Sequence, residues 1–375
     1  MIILLRGHVR NSFENDNLYN LIKELNNKYS ISIYIHTWHI KQSKLSWREM
    51  DEVNSLITTD LINNYFKDIS HLIKLIIIDD DSIIKKIGNL EGNIMNTNCP
   101  IKGWKNLWYG NYKIINYIQT MNNDNNIVVM NMRFDIFNNS NNLSYDEIIN
   151  FIDNTKNNNF HKNYFIEKDN LFGVDNIFIG NIDSMTYLLN NLYLKLDDIL
   201  EKFRFLDLRC QEHYVYYENC LGKNFDIFVY KVMNNLDYMN NNQLLDHWIH
   251  YGRYENKICT LPKGFNYDYY RIANNILDWN DKQVITHWYN HGQYQNWIYK
   301  LPDNFNFNVY KIFNNVHDWT HADIIWHWYN HGDKQGWMIG LPNNLNIHHY
   351  RILHDLTHYD DYNVILHLYN FTYET

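Results

Sequence analysis

Through the first part of the chain, apolar residues fall alternately into short continuous runs and into helical spacing. Residues 2–5 form an apolar run that ends in Arg6-Gly7-His8-Val9-Arg10, and Leu18, Leu21, Ile22 and Leu25 then recur at helical intervals. Residues 31–35 form a second run ending at His36-Thr37-Trp38, and residues 56–66 suit a helix after a polar stretch containing Ser46-Trp47-Arg48. Residues 72–78, closed by Asp79-Asp80-Asp81, are the most strand-like run in the chain. This order predicts an α/β fold, a mostly parallel, doubly wound sheet with helices on both faces. In such a sheet ligands bind beyond the C-terminal ends of the strands.

Residues 88–103 read as an irregular loop, and residues 107–118 as a helix packed on the sheet. Residues 126–137, NIVVMNMRFDIF, read as a strand buried on both faces, interrupted by Arg133 and Asp135. Two positions apart on extended backbone, these side chains share a side at the C-terminal end of the strand. Beyond them the pattern predicts helices at 145–152 and 185–196, a strand within 171–180, a short helix from Gln211, and extended chain at 225–230.

The second part repeats itself every 40 residues. Leu-Pro recurs at 261, 301 and 341, His-Trp at 247, 287 and 327 with His367-Leu368 as a weaker copy, and tyrosine before a basic residue at 230, 270, 310 and 350. A period of this length suits two stacked helices. Each unit reads as a short helix beginning near Phe-Asn-x-x-x-Tyr, a longer one carrying HWYNHG or a variant, a glycine C-cap and a Leu-Pro exit. The expected division is residues 1–224 and residues 225–375, the latter an α-helical repeat domain of about four units.

Composition narrows the function classes. The chain has 375 residues, 45% hydrophobic and 16% aromatic, which suits packed cores rather than disorder. Its formal charge of -9 argues against a nucleic-acid partner, so an anionic ligand needs a local basic pocket. Four cysteines without metal-site spacing point to a reducing compartment. The apolar run at the amino terminus is too short for a membrane span.

Most of the candidate chemistry lies at strand ends. Arg6, His8 and Arg10 suit a diphosphate or an internal acidic partner equally. Asp79 to Asp81 invite a divalent cation, or form a turn in which Asp81 or Ser82 caps a following helix. Arg133 and Asp135 are open between a site and an inert ion pair. Asp175 and Glu212 are candidate general bases or solvated acids. His287 with His291, and His327 with His331, have metal-binding spacing, but their recurrence in register favours packing between units, anchored by Trp288 and Trp328.

With these residues in view, roughly the first 230 positions resemble a family of viral and bacterial glycosyltransferase-like proteins that build capsular or surface polysaccharide. The resemblance rests on LLRGHVRNSF, IYIHTW, SWRE, IIIDDD, GWKNLWYGNYKI, NMRFDIF, DNIFIGNIDSM and QEHYVY, in that order. The repeats resemble units found beside glycosyltransferases in large DNA viruses and bacteria, and the Asn-rich style fits a giant virus, hence a host-cytoplasmic viral factory or a virion. The resemblance implies a GT-A-like domain that binds a nucleotide-sugar donor and transfers the sugar to a glycan or protein acceptor. Arg133-Phe134-Asp135 then stands in place of the metal-binding DxD motif, with arginine where the first acid would be. Asp135, with Asp79 and Asp81, would hold Mn2+ or Mg2+, Arg6, His8, Arg10 and Arg133 would face the diphosphate, and Asp175 and Glu212 would be catalytic. The competing class is a non-catalytic carbohydrate-binding or virion-associated protein, and the repeats are expected to bind protein or glycan.

Overall fold

The computed structural model describes residues 1–375 except 46–50, 95–96, 140–142, 156–161, 167–172, 207, 209, 223, 342–344 and 374–375. The Ser46-Trp47-Arg48 segment therefore lies outside the described residues. The chain forms two compact units: Met1–Phe225 with Asn241–Asn256, and Asp226–Asn240 with Lys257–Thr375.

The first unit begins with β1 (Ile2–Arg6), α1 (Asn17–Lys28), β2 (Ser32–Trp38), β3 (Ile40–Gln42), β4 (Val53–Leu56), α2 (Thr59–Phe66) and β5 (Ile73–Asp79). It continues through α3 (Ile101–Met121), β6 (Val128–Arg133), α4 (Tyr145–Thr155), β7 (Tyr164–Phe165), β8 (Ile177–Asn181), α5 (Ile182–Leu194), α6 (Leu196–Lys202) and α7 (Gln211–Leu221). Six strands form one sheet in the order β5-β2-β1-β6-β8-β7, while β3 and β4 pair separately. Strands β5, β2, β1 and β6 run parallel; β8 is antiparallel to both β6 and β7.

Alternation along β1 explains the layering. Ile3 and Leu5 join the core beneath α1, α2 and α4, together with Ile33 and Ile35 of β2 and Met130 and Met132 of β6. The opposite face, carrying Arg6 and Asn131, is covered by α3 and α5. From β1 the chain moves outward to β2 and β5, then returns through α3 to β6 on the other side of β1. The crevice between the ends of β1 and β6 is therefore the topological switch point. Register pairs Arg6 with both His36 and Arg133, so the polar strand ends are level.

Several expectations need correction. Residues 225–230 are not extended: Asp226 caps α8 (Ile227–Met233), accepting from the N–H groups of Phe228 and Val229. Asp81 caps no helix; residues 80–83 form a turn in which Asp80 accepts from the backbone N–H and hydroxyl of Ser82. Residues 101–103, read as loop, belong to the 21-residue α3, which starts at Ile101 rather than at 107.

After α8, helix α9 (Asn241–His247) belongs to the first unit. The second unit continues with α10 (Tyr267–Ala273), α11 (Asp281–His287), α12 (Phe307–Phe313), α13 (His321–His327), the single turn α14 (Asp333–Gln335), α15 (Ile347–Leu353) and α16 (Asp361–Tyr373). Asn266, Asn306 and Asn346 cap the short helices, and boxes at Asn280/Gln283 and Thr320/Asp323 cap the second ones.

The repeat glycines are not C-caps. Trp288–Gly292 and Trp328–Gly332 are π-helical turns continuing α11 and α13, and Gly332 has a right-handed φ of -63°. Glycine is required for room: a Cβ on Gly292 would lie 2.4 Å from the Tyr270 hydroxyl, and one on Gly332 2.7 Å from that of Tyr310.

Packing in the array alternates. Within a unit, Tyr270, Val284 and Trp288 cluster, as do Tyr310, Ile324 and Trp328. Between units, Val229 and Val232 of α8 meet Ile285 of α11, and Val309 and Ile312 of α12 meet Ile365 of α16. The first helices α8, α10 and α12 thus each rest on the second helix of the following repeat.

Candidate active site

A pocket opens at the C-terminal edge of the sheet in the first unit. Its wall includes Gly7, His8 and Arg10 after β1, Trp38 at the end of β2, Asp81 beyond β5, Trp104 and Asn106 on α3, and Arg133 and Asp135 at the end of β6. Gly7 sits at φ 92°, which lets the chain turn sharply off β1.

Asp135 is the hub. It is 2% exposed, and its Oδ1 accepts from Arg133 Nε at 2.8 Å. Its Oδ2 accepts from Arg133 Nη2 at 2.8 Å and from Arg10 Nη1 at 2.6 Å. Burial alone would raise its pKa, but Arg133 and Arg10 outweigh that and hold it down at about 2. The same balance raises the pKa of Arg133, burial being overcome chiefly by Asp135 and then Asp175. Both guanidinium side chains keep 21% of their surface exposed at the pocket.

Arg6 lies deeper, 1% exposed, with Nε donating to Asn131 Oδ1 at 2.6 Å and Nη2 donating to the Asp175 carbonyl. Nη2 is 3.8 Å from Asp175 Oδ2, and the guanidinium carbon lies 6.0 and 5.9 Å from the Trp108 and Phe178 ring centroids. Burial lowers its pKa to about 10 despite Asp175. Asn131 in turn donates to Asn111 of α3 at 2.7 Å. Arg6 thus belongs to the floor beneath the site rather than its wall.

The remaining expected residues separate into groups. Asp175 is 1% exposed, in a 3-10 turn (Val174–Asn176) before β8, paired with Arg6. Glu212, half-buried in the first turn of α7, accepts from the Cys210 thiol at 2.5 Å. Burial and then the charge of Asp175 push its pKa up to about 7, against a smaller pull from Arg133. Asp81 lines the pocket and accepts from Asn106 Nδ2 at 3.2 Å. Asp79 is engaged elsewhere, with Lys113 Nζ at 2.8 and 2.9 Å and His36 Nε2 at 3.1 Å.

His8 is neutral, its pKa lowered to about 3 by burial and by Arg10, and among the described residues its Nε2 has no hydrogen-bond partner. Trp104 Nε1 and Asn106 Oδ1, both buried on the pocket wall, are likewise unpaired. The wall therefore offers two guanidinium groups, an indole N–H, an amide oxygen and an imidazole nitrogen to a polar ligand. Sequence reading missed Trp38, Trp104 and Asn106. Asn131, an amide inside the apolar run VVMNMR, was the available signal for the buried network.

A divalent ion on Asp135 does not fit this donor set, because both carboxylate oxygens already accept from guanidinium groups. Asp79, held by Lys113 and His36, does not complete a shared ligand group with Asp81 and Asp135. Among the described residues no helix is long and apolar enough to cross a membrane. Comparison with protein-family models, curated proteins and solved structures finds no match to this chain.

Proposed function

We propose that the first unit is a GT-A-like glycosyltransferase that moves a sugar from a nucleoside diphosphate sugar to a hydroxyl of a glycan or protein. The observation that carries this reading is the pair of guanidinium groups, Arg10 and Arg133, that Asp135 holds side by side at the switch point. With Asp135 shared by both arginines and Asp81 also on the wall, the mouth carries no net charge, so the pair acts through its directed guanidinium N–H donors rather than through excess positive charge. Planar guanidinium groups bind phosphate oxygens bidentately, so the pair both binds the diphosphate and offsets the charge that builds on it as it leaves. No step is assigned to a metal ion, since Asp135 is already committed to the arginines.

In the proposed transfer the acceptor oxygen bonds to the anomeric carbon. The bond from that carbon to the diphosphate breaks, and its electron pair stays on phosphate oxygen. The acceptor proton is assigned to Glu212, which is not among the residues of the pocket wall but lies near enough to feel the charge of Arg133, and whose raised pKa suits a general base. Asp175, buried against Arg6, acts as a positioning residue.

The test is calorimetric binding and product release over a panel of uridine and guanosine diphosphate sugars, in EDTA and in Mn2+. Arg133→Ala is expected to weaken diphosphate binding by about ten- to a hundredfold, as loss of a charge-assisted contact does. Binding that ignores Arg133→Ala refutes the assignment. Tight binding with no turnover for any donor and acceptor pair favours a carbohydrate-binding protein with a degenerate transferase domain.

A further inference from the structure

The histidine pairs of the second unit divide into a member the fold requires and a member it does not. His287 Nδ1 lies 2.7 Å from the Tyr270 hydroxyl, and His327 Nδ1 lies 2.7 Å from that of Tyr310. These hydroxyls press on Gly292 and Gly332, so Nδ1 of each imidazole faces the interior and Nε2 points away from it. Trp297 and Trp337, with ring centroids 4.1 and 4.2 Å away, fix the same two rings from the side. This half of each pair packs inside its own repeat, with Trp288 and Trp328 in the same intra-repeat clusters, and not between repeats as its recurrence in register suggested.

The second member lies at the surface. His291 and His331 are exposed, and among the described residues neither ring makes a hydrogen bond, although His331 meets the Trp326 ring edge-on with centroids 5.5 Å apart. Their centroids lie 5.3 and 5.4 Å from those of His287 and His327, at interplanar angles of 46° and 49°. The geometry is thus built twice. The fourth unit keeps the inner contact, with Tyr350 hydroxyl and His367 Nδ1 3.0 Å apart, but carries Phe371 in the second place, and the first unit carries Tyr251 there. Tyr251 and Phe371 make the corresponding ring contact with His247 and His367, centroids 5.6 and 6.3 Å apart, so the fold asks only for a ring at that position and the imidazole adds a ligating nitrogen to it.

Two imidazoles four residues apart on one helical face, the inner one oriented by a hydroxyl on its far nitrogen, are the donor set of a transition-metal site. Asn290 lines the same groove as His287 and His291, whereas the Gln283 amide oxygen there is held by the Asn280 N–H in the helix cap. We propose that His287 with His291, and His327 with His331, form two equivalent two-histidine sites for a borderline divalent metal ion such as Zn2+ or Ni2+. The coordination positions left open go to water or to a ligand from another molecule. This proposal is independent of the reading of the pocket in the first unit.

The experiment titrates EDTA-stripped full chain with ZnCl2 and NiCl2 and compares stoichiometry with variants. His291→Phe, copying the fourth unit, should remove one bound ion, and His291→Phe with His331→Phe should remove two, with the metal-free melting temperature unchanged. Metal should also raise the melting temperature of the wild-type chain more than that of the double variant. Equal stoichiometry in wild-type and double variant overturns the proposal. Should phenylalanine lower the metal-free melting temperature, tyrosine at both positions, copying the first unit, gives the reading: two ions lost supports the sites, none lost overturns them.

Discussion

At the residue scale the site turns on one carboxylate and the charges it organises. Asp135→Ala leaves Arg10 and Arg133 facing each other without their shared partner. Breaking a fully buried ion pair costs about 3–5 kcal/mol, and because these guanidinium groups reach solvent a loss nearer about 2–3 kcal/mol is expected from denaturant unfolding. The carboxyl titrates at about 2 in the folded chain, below its unfolded value near ~3.9. Its contribution is therefore complete above that unfolded value and disappears as pH falls toward about 2. Glu212 has the opposite sign. Its pKa, raised to about 7, makes the folded state hold a proton that the unfolded chain releases near ~4.3, so stability declines as pH rises between the two. Glu212→Gln should abolish that decline, read as melting temperature at pH 5 and pH 8, and should remove the limb through pH 7 from any transferase pH–rate profile. Arg133 and Asp135 were legible as a pair because they broke an apolar run. Their link to Arg10 was not, because a contact across β1 and β6 exists only once strand order is known.

At the element scale, apolar runs identified the main strands well, since a strand covered on both faces has no polar side to obscure it. The antiparallel pair β7 and β8 was harder, being short and adjacent to polar chain. The π turns were misread for a physical reason: a glycine after a helix ordinarily marks left-handed backbone, whereas Gly292 is small so that a distant tyrosine hydroxyl can fit. Gly292→Ala should therefore destabilise the second unit by about 1–3 kcal/mol, the usual cost of overpacking. Combining it with Tyr270→Phe, which removes the clashing oxygen, should cost less than the sum of the single changes in a double-mutant cycle. Gly110 of α3 makes a parallel case, since a Cβ there would lie 2.2 Å from His36 Nδ1. Gly110→Ala is expected to disturb the seating of α3 on β2, seen as reduced amide-exchange protection along α3.

At the scale of the whole molecule, the 40-residue period was plain in the sequence, but the structural division falls within its first copy. Helix α8 joins the second unit, whereas residues 241–256 pack with the first, where the Trp248 indole N–H donates to the Cys220 carbonyl at 3.0 Å. A fragment of residues 1–256 should therefore melt at a higher temperature than one of residues 1–225. Trp248→Ala should erase most of that difference, at about 3–5 kcal/mol for a buried tryptophan. The reason is the offset packing in which a first helix rests on the second helix of the next unit. Sequence period and packing period have the same length but different phase. Gain or loss of one complete period within residues 257–375 again gives each first helix a following second helix to rest on, so that part of the array is built to change length by whole periods. Half a period does not, because it leaves one helix without the surface on which it lies.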